Sequence, residues 1–257
     1  MSHCFEVGDR VLLVDRKDRR YLVTLVTGGE FHSHTGVVDH DDLIGAPDGS
    51  HLRSSRGGSF VAFRPTLADF VLKMPRGAQV IYPKDLGTIL MLADIRPGVR
   101  VLESGVGSGA LSMTLLRAGA EVTGYEIRQD FADRARQNVE DMLGSEPLDR
   151  YDVEIRDAYG GIDESEFDRV LLDLPEPWRV VPHAARALRR GGIILAYTPS
   201  IVQAATFRES LGEHGFAYPE TLEVMHRSWH IEGAAVRPAH RMVGHTGFLS
   251  HARLLGT

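Results

Sequence analysis

This sequence has a single cysteine, no long apolar run and no excess of positive charge. Its one cysteine, Cys4, can form neither an internal disulfide nor a thiolate zinc site, which favours a reducing cytoplasm. No apolar run approaches the roughly 18 residues that a membrane-spanning helix requires, so we expect neither export nor membrane anchoring. The 29 Lys and Arg residues against 35 Asp and Glu residues give a formal charge of −6. This charge argues against a protein that coats nucleic acid non-specifically, but it allows a local basic groove.

The pattern of the chain changes near residue 65. Residues 1–64 contain short alternating apolar stretches, such as RVLLVD and RYLVTLV, separated by turns rich in Gly, Ser and Asp. This pattern predicts a small N-terminal β domain. After Pro65 the periodicity becomes helical, with Thr66 as a candidate cap and Pro75 as a stop. We therefore expect a second, catalytic domain over residues 65–257.

Strands and helices alternate through this second domain. The stretches RVLES, EVTGYEI, DRVLLD and IILAYTPS are typical of strands, and GALSMTLLRAG, QDFADRARQNVEDMLG and HAARALRRGG are typical of helices. Such an order predicts an α/β fold in which helices cover both faces of a mostly parallel sheet. The tail, TLEVMHRSWHIEGAAVRP followed by HTGFLSHARLL, predicts a long hairpin that adds antiparallel strands.

The loop in VLESGVGSGALS joins the first of these strands to its helix. Gly105, Gly107 and Gly109 lie in the turn, where a side chain would keep a ligand away from the backbone N–H groups. Glycines needed only for packing are the alternative. The G-x-G-x-G spacing and the acid at Glu103 differ from the G-x-G-x-x-G fingerprint of nicotinamide enzymes. The next strand ends at Glu126, where a carboxylate can accept hydrogen bonds from ribose hydroxyls in either class.

Two more acids follow strand ends. Asp157 either accepts from an exocyclic adenine amine or is a solvated turn residue. Asp173 comes directly after a strand that reads as buried, in VLLDLPEPW. With Glu103 and Glu126 they would lie along one C-terminal sheet edge, where open α/β folds bind ligands. An acidic edge favours a cationic, donor-rich ligand, and S-adenosylmethionine fits through its sulfonium, its ammonium and its ribose hydroxyls.

Several segments resemble the TrmI family of tRNA methyltransferases, which form 1-methyladenosine at position 58. The segments are LESGVGSGALS, YEIRQDFADRARQNV, LLDLPEPW, VRPAHRMVGHTGFL, MPRGAQVIYPKD and, in the β domain, FHSHTGVVDHDDLIG. Together they span nearly the whole chain. The resemblance implies a class I methyltransferase (Rossmann-like) sheet with a C-terminal antiparallel hairpin. It also implies S-adenosyl-L-methionine as donor, S-adenosyl-L-homocysteine as product, tRNA as substrate and a homotetramer. We expect no metal, and the single cysteine favours a cytoplasmic location.

The resemblance also assigns roles to residues. Asp173 corresponds to the catalytic aspartate, and Tyr82, with Gln79 nearby, to the lining of the target-adenine pocket. Donor contacts fall on a larger set: Glu103, Gly105, Gly107, Ser108, Gly109, Ala110, Leu111, Glu126, Phe131, Asp157, Ala158 and Asp173. In the tail, Arg237 and His245 are candidates for binding either the tRNA backbone or a neighbouring subunit.

The expected reaction explains the acid at position 173. Adenine N1 already carries a lone pair, so its attack on a sulfonium methyl needs alignment more than a strong base. Methylation then leaves positive charge on the ring. An ionised Asp173 in contact with the exocyclic N6 amine would orient N1 and offset that charge. Trp178, in the same segment, is interpreted as a core residue rather than a stacking face.

Two polar clusters in the β domain have open interpretations. Three histidines near Asp39, Asp41 and Asp42 are interpreted as surface or RNA-contact residues rather than metal ligands: His32, His34 and His40. A basic turn is either a solvated hairpin tip or a phosphate contact: Arg16, Lys17, Arg19 and Arg20.

Two rival functions stay open on the sequence. The first is a small-molecule enzyme of the same fold, either a metabolite methyltransferase or a nicotinamide oxidoreductase, and Glu103 with the loop spacing argues against the oxidoreductase. The second is a non-catalytic subunit that binds tRNA. Such a subunit is expected to lose the donor loop and Asp173, and this chain keeps both.

Overall fold

A computed structural model describes residues 4–77 and 79–256 and divides the chain into two units between Pro75 and Arg76. Ala78, in the segment MPRGAQVIYPKD, lies outside the described residues. The sequence predicts the domain boundary at residue 65 instead. The difference is one helix, α1 (Leu67–Lys73), which groups with the N-terminal unit. One reason is an ion pair at 2.8 Å between Asp69 of this helix and Arg20.

The start of α1 follows the sequence prediction. The Thr66 hydroxyl accepts from the Asp69 N–H at 3.2 Å, and the Asp69 carboxylate accepts from the Thr66 N–H at 3.2 Å. This reciprocal arrangement is a capping box, which satisfies two N–H groups that a helix start otherwise leaves unpaired.

The N-terminal unit is a β structure, as predicted. Its strands are β1 (Arg10–Asp15), β2 (Arg20–Thr24), β3 (Glu30–Ser33), β4 (Gly36–Asp39), β5 (Ser50–Arg53) and β6 (Ser59–Phe63). Four of them form an antiparallel sheet in the order β2-β1-β6-β5, and β3 pairs with β4. Alternate residues such as Val11, Leu13, Phe60 and Ala62 are buried together, because successive side chains of a strand point to opposite faces.

The C-terminal unit contains a seven-stranded sheet. Its strands and helices are α2 (Pro83–Leu92), β7 (Arg100–Ser104), α3 (Ala110–Arg117), β8 (Glu121–Glu126), α4 (Gln129–Leu143), β9 (Tyr151–Ile155), β10 (Phe167–Leu172), α5 (Val181–Ala187), β11 (Leu188–Thr198), α6 (Ile201–Glu213), β12 (Phe216–Glu223), β13 (Trp229–Glu232), β14 (Ala235–Pro238) and β15 (Phe248–Leu254). The sheet order is β12-β15-β11-β10-β7-β8-β9. Strands β7 to β11 run parallel, and β15 is antiparallel to both β11 and β12. This arrangement confirms the predicted fold class.

The order of the strands in the sheet indicates where a ligand would bind. The chain runs outward from β7 through β8 to β9 and then returns to the other side of β7 as β10. Ligands of open α/β sheets bind at such a reversal, outside the carboxyl ends of the strands. The end of β10 is apolar on both faces, since Val170, Leu171 and Leu172 are all buried. A rigid, buried strand therefore delivers Asp173 to the sheet edge.

Two predicted boundaries differ from the structure. The prediction of a helix over residues 183–192 was wrong at its C-terminal end, because α5 ends at Ala187 and β11 begins at Leu188. Leu188 pairs with Phe167, and a register shift follows. The predicted tail hairpin is present as β12 and β15, but β13 and β14 form a separate two-stranded ribbon between them. None of the helices over the described residues has the length and apolar character needed to cross a membrane.

Candidate active site

Three glycines with left-handed backbone conformation shape the loop between β7 and α3. The φ angles of Gly105, Gly107 and Gly109 are 89°, 56° and 81°, which L side chains rarely adopt. A Cβ on Gly105 would overlap the carbonyl oxygen of Asp173, whereas one on Gly107 would meet nothing nearer than 4.0 Å. A Cβ on Gly109 would press on Ala135 of α4. Packing therefore requires Gly105 and Gly109, and Gly107 leaves open space at the loop.

Glu126 holds this loop at the end of β8. Its Oε2 accepts from the Gly107 N–H at 2.9 Å, and its Oε1 accepts from the N–H groups of Ile127 at 2.9 Å and Arg128 at 3.0 Å. A carboxylate offers about four acceptor positions, so three bonds leave capacity for a further donor. The side chain thus has a structural role that the sequence did not reveal, in addition to the predicted ligand contact.

Glu103 is a buried carboxyl with one satisfied oxygen. Its Oε2 accepts from the Ser112 hydroxyl at 2.7 Å, and the Tyr151 hydroxyl donates to Ser112 at 2.9 Å. Its Oε1 has no hydrogen-bond partner among the described residues. Burial, with the nearby charges of Asp173 and Glu126, raises the pKa of Glu103 to about 8. A buried acceptor without a partner is unfavourable, so Oε1 is suited to a donor from a ligand.

Asp173 follows β10 directly, and its backbone is fixed. Its N–H donates to the carbonyl oxygen of Ser104 at 2.9 Å, beside the glycine loop. Burial raises the pKa of Asp173 to about 7. A positively charged ligand would favour the ionised form of both this carboxyl and Glu103.

Two adjoining pockets collect most of the predicted donor-binding residues. The first has about 260 Å³ of empty space and is lined by Gln79, Val80, Ile81, Glu103, Gly105, Val106, Gly107, Ser108, Ala110, Leu111 and Asp173. The second, of about 690 Å³, is lined by Ser104, Gly105, Tyr125, Glu126, Ile127, Arg156, Asp157, Ala158, Tyr159, Leu174, Pro175 and Glu176. Gly105 belongs to both. The two pockets therefore adjoin at the sheet edge, and we refer to them together as the cleft.

Asp157 is an exposed turn residue at the second pocket. Its carboxylate accepts from the Tyr159 N–H at 2.9 Å and caps the short 3-10 turn Ala158–Gly160. It also lines the second pocket with Ala158. The turn holds both residues at the cleft.

Several predicted site residues lie outside both pockets. Phe131 of α4 packs against Gly77, where a Cβ would come within 2.7 Å of its ring, and the Arg128 guanidinium lies 3.9 Å from the ring centre. Gly109 packs on the same helix, against Ala135. Trp178, which the sequence predicts as a core residue, is half-buried in the 3-10 turn Pro177–Arg179, and its carbonyl oxygen accepts from Ser210 of α6.

The predicted substrate residues are also spread out. Gln79 lines the first pocket, and Tyr82 is the N-cap residue of α2, outside both pockets. His245 is exposed, and its Nδ1 lies 2.6 Å from Glu223, a hydrogen bond that raises its pKa. Arg237 lies in the exposed β14 strand. Neither His245 nor Arg237 contributes to the cleft.

A buried ion pair next to Tyr82 was not predicted. The Lys84 ammonium lies 2.8 Å from the Asp85 carboxylate, and it donates to the Val224 carbonyl and the Thr246 hydroxyl, each at 2.6 Å. Thr246 in turn donates to Asp85 at 2.7 Å. The pair therefore attaches the start of α2 to the segments that follow β12 and precede β15. Adjacent Lys and Asp residues in a sequence usually indicate solvated surface, so the pattern gave no signal.

The histidines of the N-terminal unit have different environments. His40 is buried, and its Nδ1 accepts from the Val26 N–H at 3.2 Å. His32 lies on β3 beside Glu30 at 3.0 Å, and His34 lies 2.6 Å from Arg19. Across residues 4–77 and 79–256, no three His, Cys, Asp or Glu side chains group as a metal site.

Comparison with known proteins identifies the family. A family model described as tRNA methyltransferase complex GCD14 subunit matches residues 60–237, and one described as TrmI-like N-terminal matches residues 4–51. The chain belongs to the TrmI family of tRNA methyltransferases. It is 38% identical over 242 residues to the tRNA (adenine(58)-N(1))-methyltransferase TrmI of Thermus thermophilus, covering 93% of this chain and 94% of the relative.

One further relative and two solved structures are similar to this chain over nearly its whole length. The tRNA (adenine(57)-N(1)/adenine(58)-N(1))-methyltransferase TrmI of Methanocaldococcus jannaschii is 36% identical, covering 95% of this chain and 94% of the relative. A Thermotoga maritima structure described as a SAM-dependent O-methyltransferase superposes with a TM-score of 0.93 at 31% identity, covering 99% and 96%. The tRNA (m1A58) methyltransferase TrmI of Aquifex aeolicus has a TM-score of 0.86 at 28% identity, covering 99% and 100%. The chain is therefore a class I methyltransferase.

Proposed function

We propose that this TrmI family member transfers a methyl group from S-adenosylmethionine to N1 of adenosine 58 in the T-loop of tRNA. One observation carries the proposal: Glu103 and Asp173, two acids with raised pKa values, line the same pocket beside the glycine loop. A free phosphate gives no reason for such a pair, whereas a cationic donor and a ring that becomes positive do.

The cleft fits the donor on the chemistry of its residues. When bound, the donor supplies an electrophilic methyl group on a sulfonium. The unpartnered Oε1 of Glu103 accepts from the donor's ammonium, and Gly107 leaves room for its chain. Glu126 uses its remaining acceptor capacity for the ribose hydroxyls. Asp157 and Ala158 hold the donor's adenine in the larger pocket.

Asp173 acts on the substrate base. Its carboxylate accepts from the exocyclic N6 amine and so directs N1 toward the methyl group. As the N1–methyl bond forms and the carbon–sulfur bond breaks, positive charge moves onto the adenine ring, and the carboxylate stabilises it. The pKa of about 7 lets Asp173 take the proton that the N6 amine loses when the ring returns to neutrality.

The target adenine must leave its stack in the tRNA elbow before it can react. Extrusion costs a few kcal/mol, which contacts in the pocket offset. Gln79 and Ile81 line the pocket that holds Asp173, and Tyr82 follows them directly at the start of α2. We assign these three residues to the wall of the pocket around the flipped base, where Gln79 supplies polar contacts and Ile81 and Tyr82 supply apolar ones.

Nucleoside mass spectrometry of tRNA incubated with the protein and donor tests the proposal. We expect 1-methyladenosine at position 58, with the single-turnover rate falling by about 10² or more in Asp173→Asn, which keeps the shape and loses the charge. Overall tRNA affinity should change little, because phosphate contacts dominate it. Glu146→Gln is the control, since that exposed carboxyl pairs with Arg150 outside both pockets.

Two results would contradict the proposal. Methylation of a hydroxyl in place of adenine N1 would assign the chain to the O-methyl chemistry in the description of the Thermotoga maritima structure. Binding of tRNA and donor without methyl transfer would assign it to a non-catalytic subunit.

The assembly and location of the protein also belong to the proposal. We infer a homotetramer in the cytoplasm. Support comes from the β13–β14 ribbon, where Trp229, Ile231 and Val236 are 58%, 73% and 61% exposed, a degree of apolar exposure that a partner surface would reduce. Light scattering tests the assembly, since the expected mass is about four times that of the 28.4 kDa chain.

A further inference from the structure

Three turns of the N-terminal unit converge at one end of its sheet. They are the β1–β2 turn at residues 16–19, the β3–β4 turn at residues 34–35 and the β5–β6 turn at residues 54–58. The second and third turns are bonded directly, because Ser54 Oγ donates to the Thr35 carbonyl and the Ser55 N–H donates to the Val37 carbonyl at 2.8 Å.

The first turn joins the other two through its arginine. One guanidinium nitrogen of Arg19 lies 2.6 Å from His34 Nε2. Asp15 fixes the shape of this turn, since its carboxylate accepts from the Lys17 N–H at 2.8 Å, the Arg19 N–H at 3.0 Å and Arg19 Nε at 2.7 Å. The backbone that presents the side chains of residues 16 and 17 is therefore preorganised.

A concave space of about 580 Å³ lies between these turns. Its lining includes Arg16, Lys17, Arg19 and His34, and Asp15 is its one acidic residue within the described part of the chain. We call this space the three-turn cleft. It is formed by the N-terminal unit alone, whereas the catalytic pockets are formed by residues of the C-terminal unit.

The charge of the cleft is not compensated by the protein. Asp15 is paired with Arg19 at 2.7 Å. The side chains of Arg16 and Lys17 are exposed and make no ion pair or hydrogen bond with any residue the structure describes. The same holds for Arg53 and Arg56 at the neighbouring β5–β6 turn. Asp18, the other acid of the first turn, is 3.4 Å from Arg20.

Four cations without a carboxylate partner among the described residues lie at one end of this sheet, in a chain with a net charge of −6. Clustering cations without partners disfavours the folded state through mutual repulsion. A bound polyanion removes that repulsion. Lys and Arg side chains on a fixed concave backbone bind phosphate oxygens through charge and multiple N–H donors.

We propose that the three-turn cleft binds backbone phosphates of the RNA substrate, at a site separate from the catalytic pockets. The proposal rests on the proposed tRNA methyltransferase function, because that activity supplies the polyanion. The cleft positions the substrate and makes no contact with its reacting base. It also accounts for binding of RNA by an acidic chain, since the positive charge is concentrated where phosphates lie.

The test uses the full-length protein and the double variant Arg16→Gln/Lys17→Gln, in which Asp15 and Arg19 still hold the turn. We measure tRNA affinity by fluorescence anisotropy across a salt series. Each lost phosphate contact should reduce the slope of log affinity against log salt by about 0.7 to 0.9, so we expect a reduction of about 1.5 and a loss of about tenfold in affinity at low salt. Donor affinity and the rate at saturating tRNA should match the parent.

A matched control separates a local site from overall charge. The double variant Lys73→Gln/Arg117→Gln removes the same two charges from exposed helix positions outside the cleft. It should bind tRNA like the parent. Equal weakening in both double variants, or no weakening in either, would overturn the proposal.

Two further measurements identify the ligand and separate this proposal from the proposed function. Saturable binding of inorganic phosphate that the cleft variant loses, without any change in tRNA affinity, would assign the cleft to a free anion and overturn the RNA assignment. If the parent methylates tRNA and the cleft variant binds it equally well, the cleft proposal fails alone. If the parent binds tRNA without methylating it and the variant binds more weakly, the proposed function fails and the cleft stands.

Discussion

Replacement of Glu103 by glutamine tests the electrostatics of the donor pocket. Burial raises the pKa of Glu103 from an ordinary 4.5 to about 8. A pKa difference of this size means that ionising Glu103 costs about 5 kcal/mol more in the folded state than in the unfolded state. Between these two pH values the folded state holds a proton that the unfolded state releases, so the unfolding free energy falls as pH rises. Glutamine has the same shape and no proton to lose.

The expected result is a pH-dependent difference between parent and Glu103→Gln in donor-free protein. The contribution of Glu103 to the unfolding free energy is fully present below about pH 4.5, and it is lost as the pH rises through about 8. The variant should therefore gain stability relative to the parent by several kcal/mol between these limits. Urea unfolding measures it, and an unchanged denaturant slope indicates that both proteins unfold from the same compact state. Other groups, including Asp173, titrate in both proteins and largely cancel in the difference.

Donor binding gives an independent measurement on the same carboxyl. An ammonium beside Oε1 favours the ionised form, so donor binding near pH 7 should release a proton from Glu103. Calorimetry in two buffers with different ionisation enthalpies counts the released protons, and Glu103→Gln should release fewer than the parent. A stability difference that does not vary with pH, together with equal proton release, would refute the reasoning.

Substitutions at four other positions have defined outcomes, and one double variant serves as a control. Glu126→Ala should weaken donor binding by about 2 to 4 kcal/mol, because a charge-assisted hydrogen bond to the ribose is lost and the Gly107 N–H loses the carboxylate that holds the loop; unchanged affinity in calorimetry would contradict the assignment. Gly105→Ala should lower the unfolding free energy more than Gly107→Ala, because both alanines bear about 1 to 2 kcal/mol for the left-handed conformation and only the first overlaps Asp173; equal losses in urea unfolding would count against this packing. Asp85→Asn should destabilise the protein by about 3 to 5 kcal/mol, because it leaves the Lys84 ammonium buried without its partner. The double variant Asp85→Leu/Lys84→Met should recover much of that loss in thermal unfolding.

The sheet and the cleft were predictable because their signals are local. Apolar runs ending in acids predicted strands whose carboxyl ends meet, and the glycine loop predicted the turn that Gly105 and Gly107 form. Hydrophobic periodicity and turn chemistry are read over a few neighbouring residues, so sequence alone captures them.

The features that were missed depend on residues distant in the chain. The helix predicted through Gly192 ends at Ala187 because Leu188 pairs with Phe167, about twenty residues earlier. His40 is buried because the Val26 N–H needs an acceptor there, and Lys84 is buried because Thr246 meets it. Tertiary contacts override local propensity in each case, and no window of sequence contains both partners.

The contact between Gly105 and Asp173 limits how the enzyme can be redesigned for bulkier alkyl donors. At this point the pocket wall consists of a glycine against a main-chain carbonyl, so no substitution can make it thinner. Any space for an ethyl or allyl group has to come from trimming side chains elsewhere in the lining, such as Gln79 or Ile81. Those are the positions assigned to the substrate base. A variant enlarged at Gln79 or Ile81 for a new donor is therefore expected to bind its target adenine less well, so donor scope and substrate selectivity are coupled at these two positions.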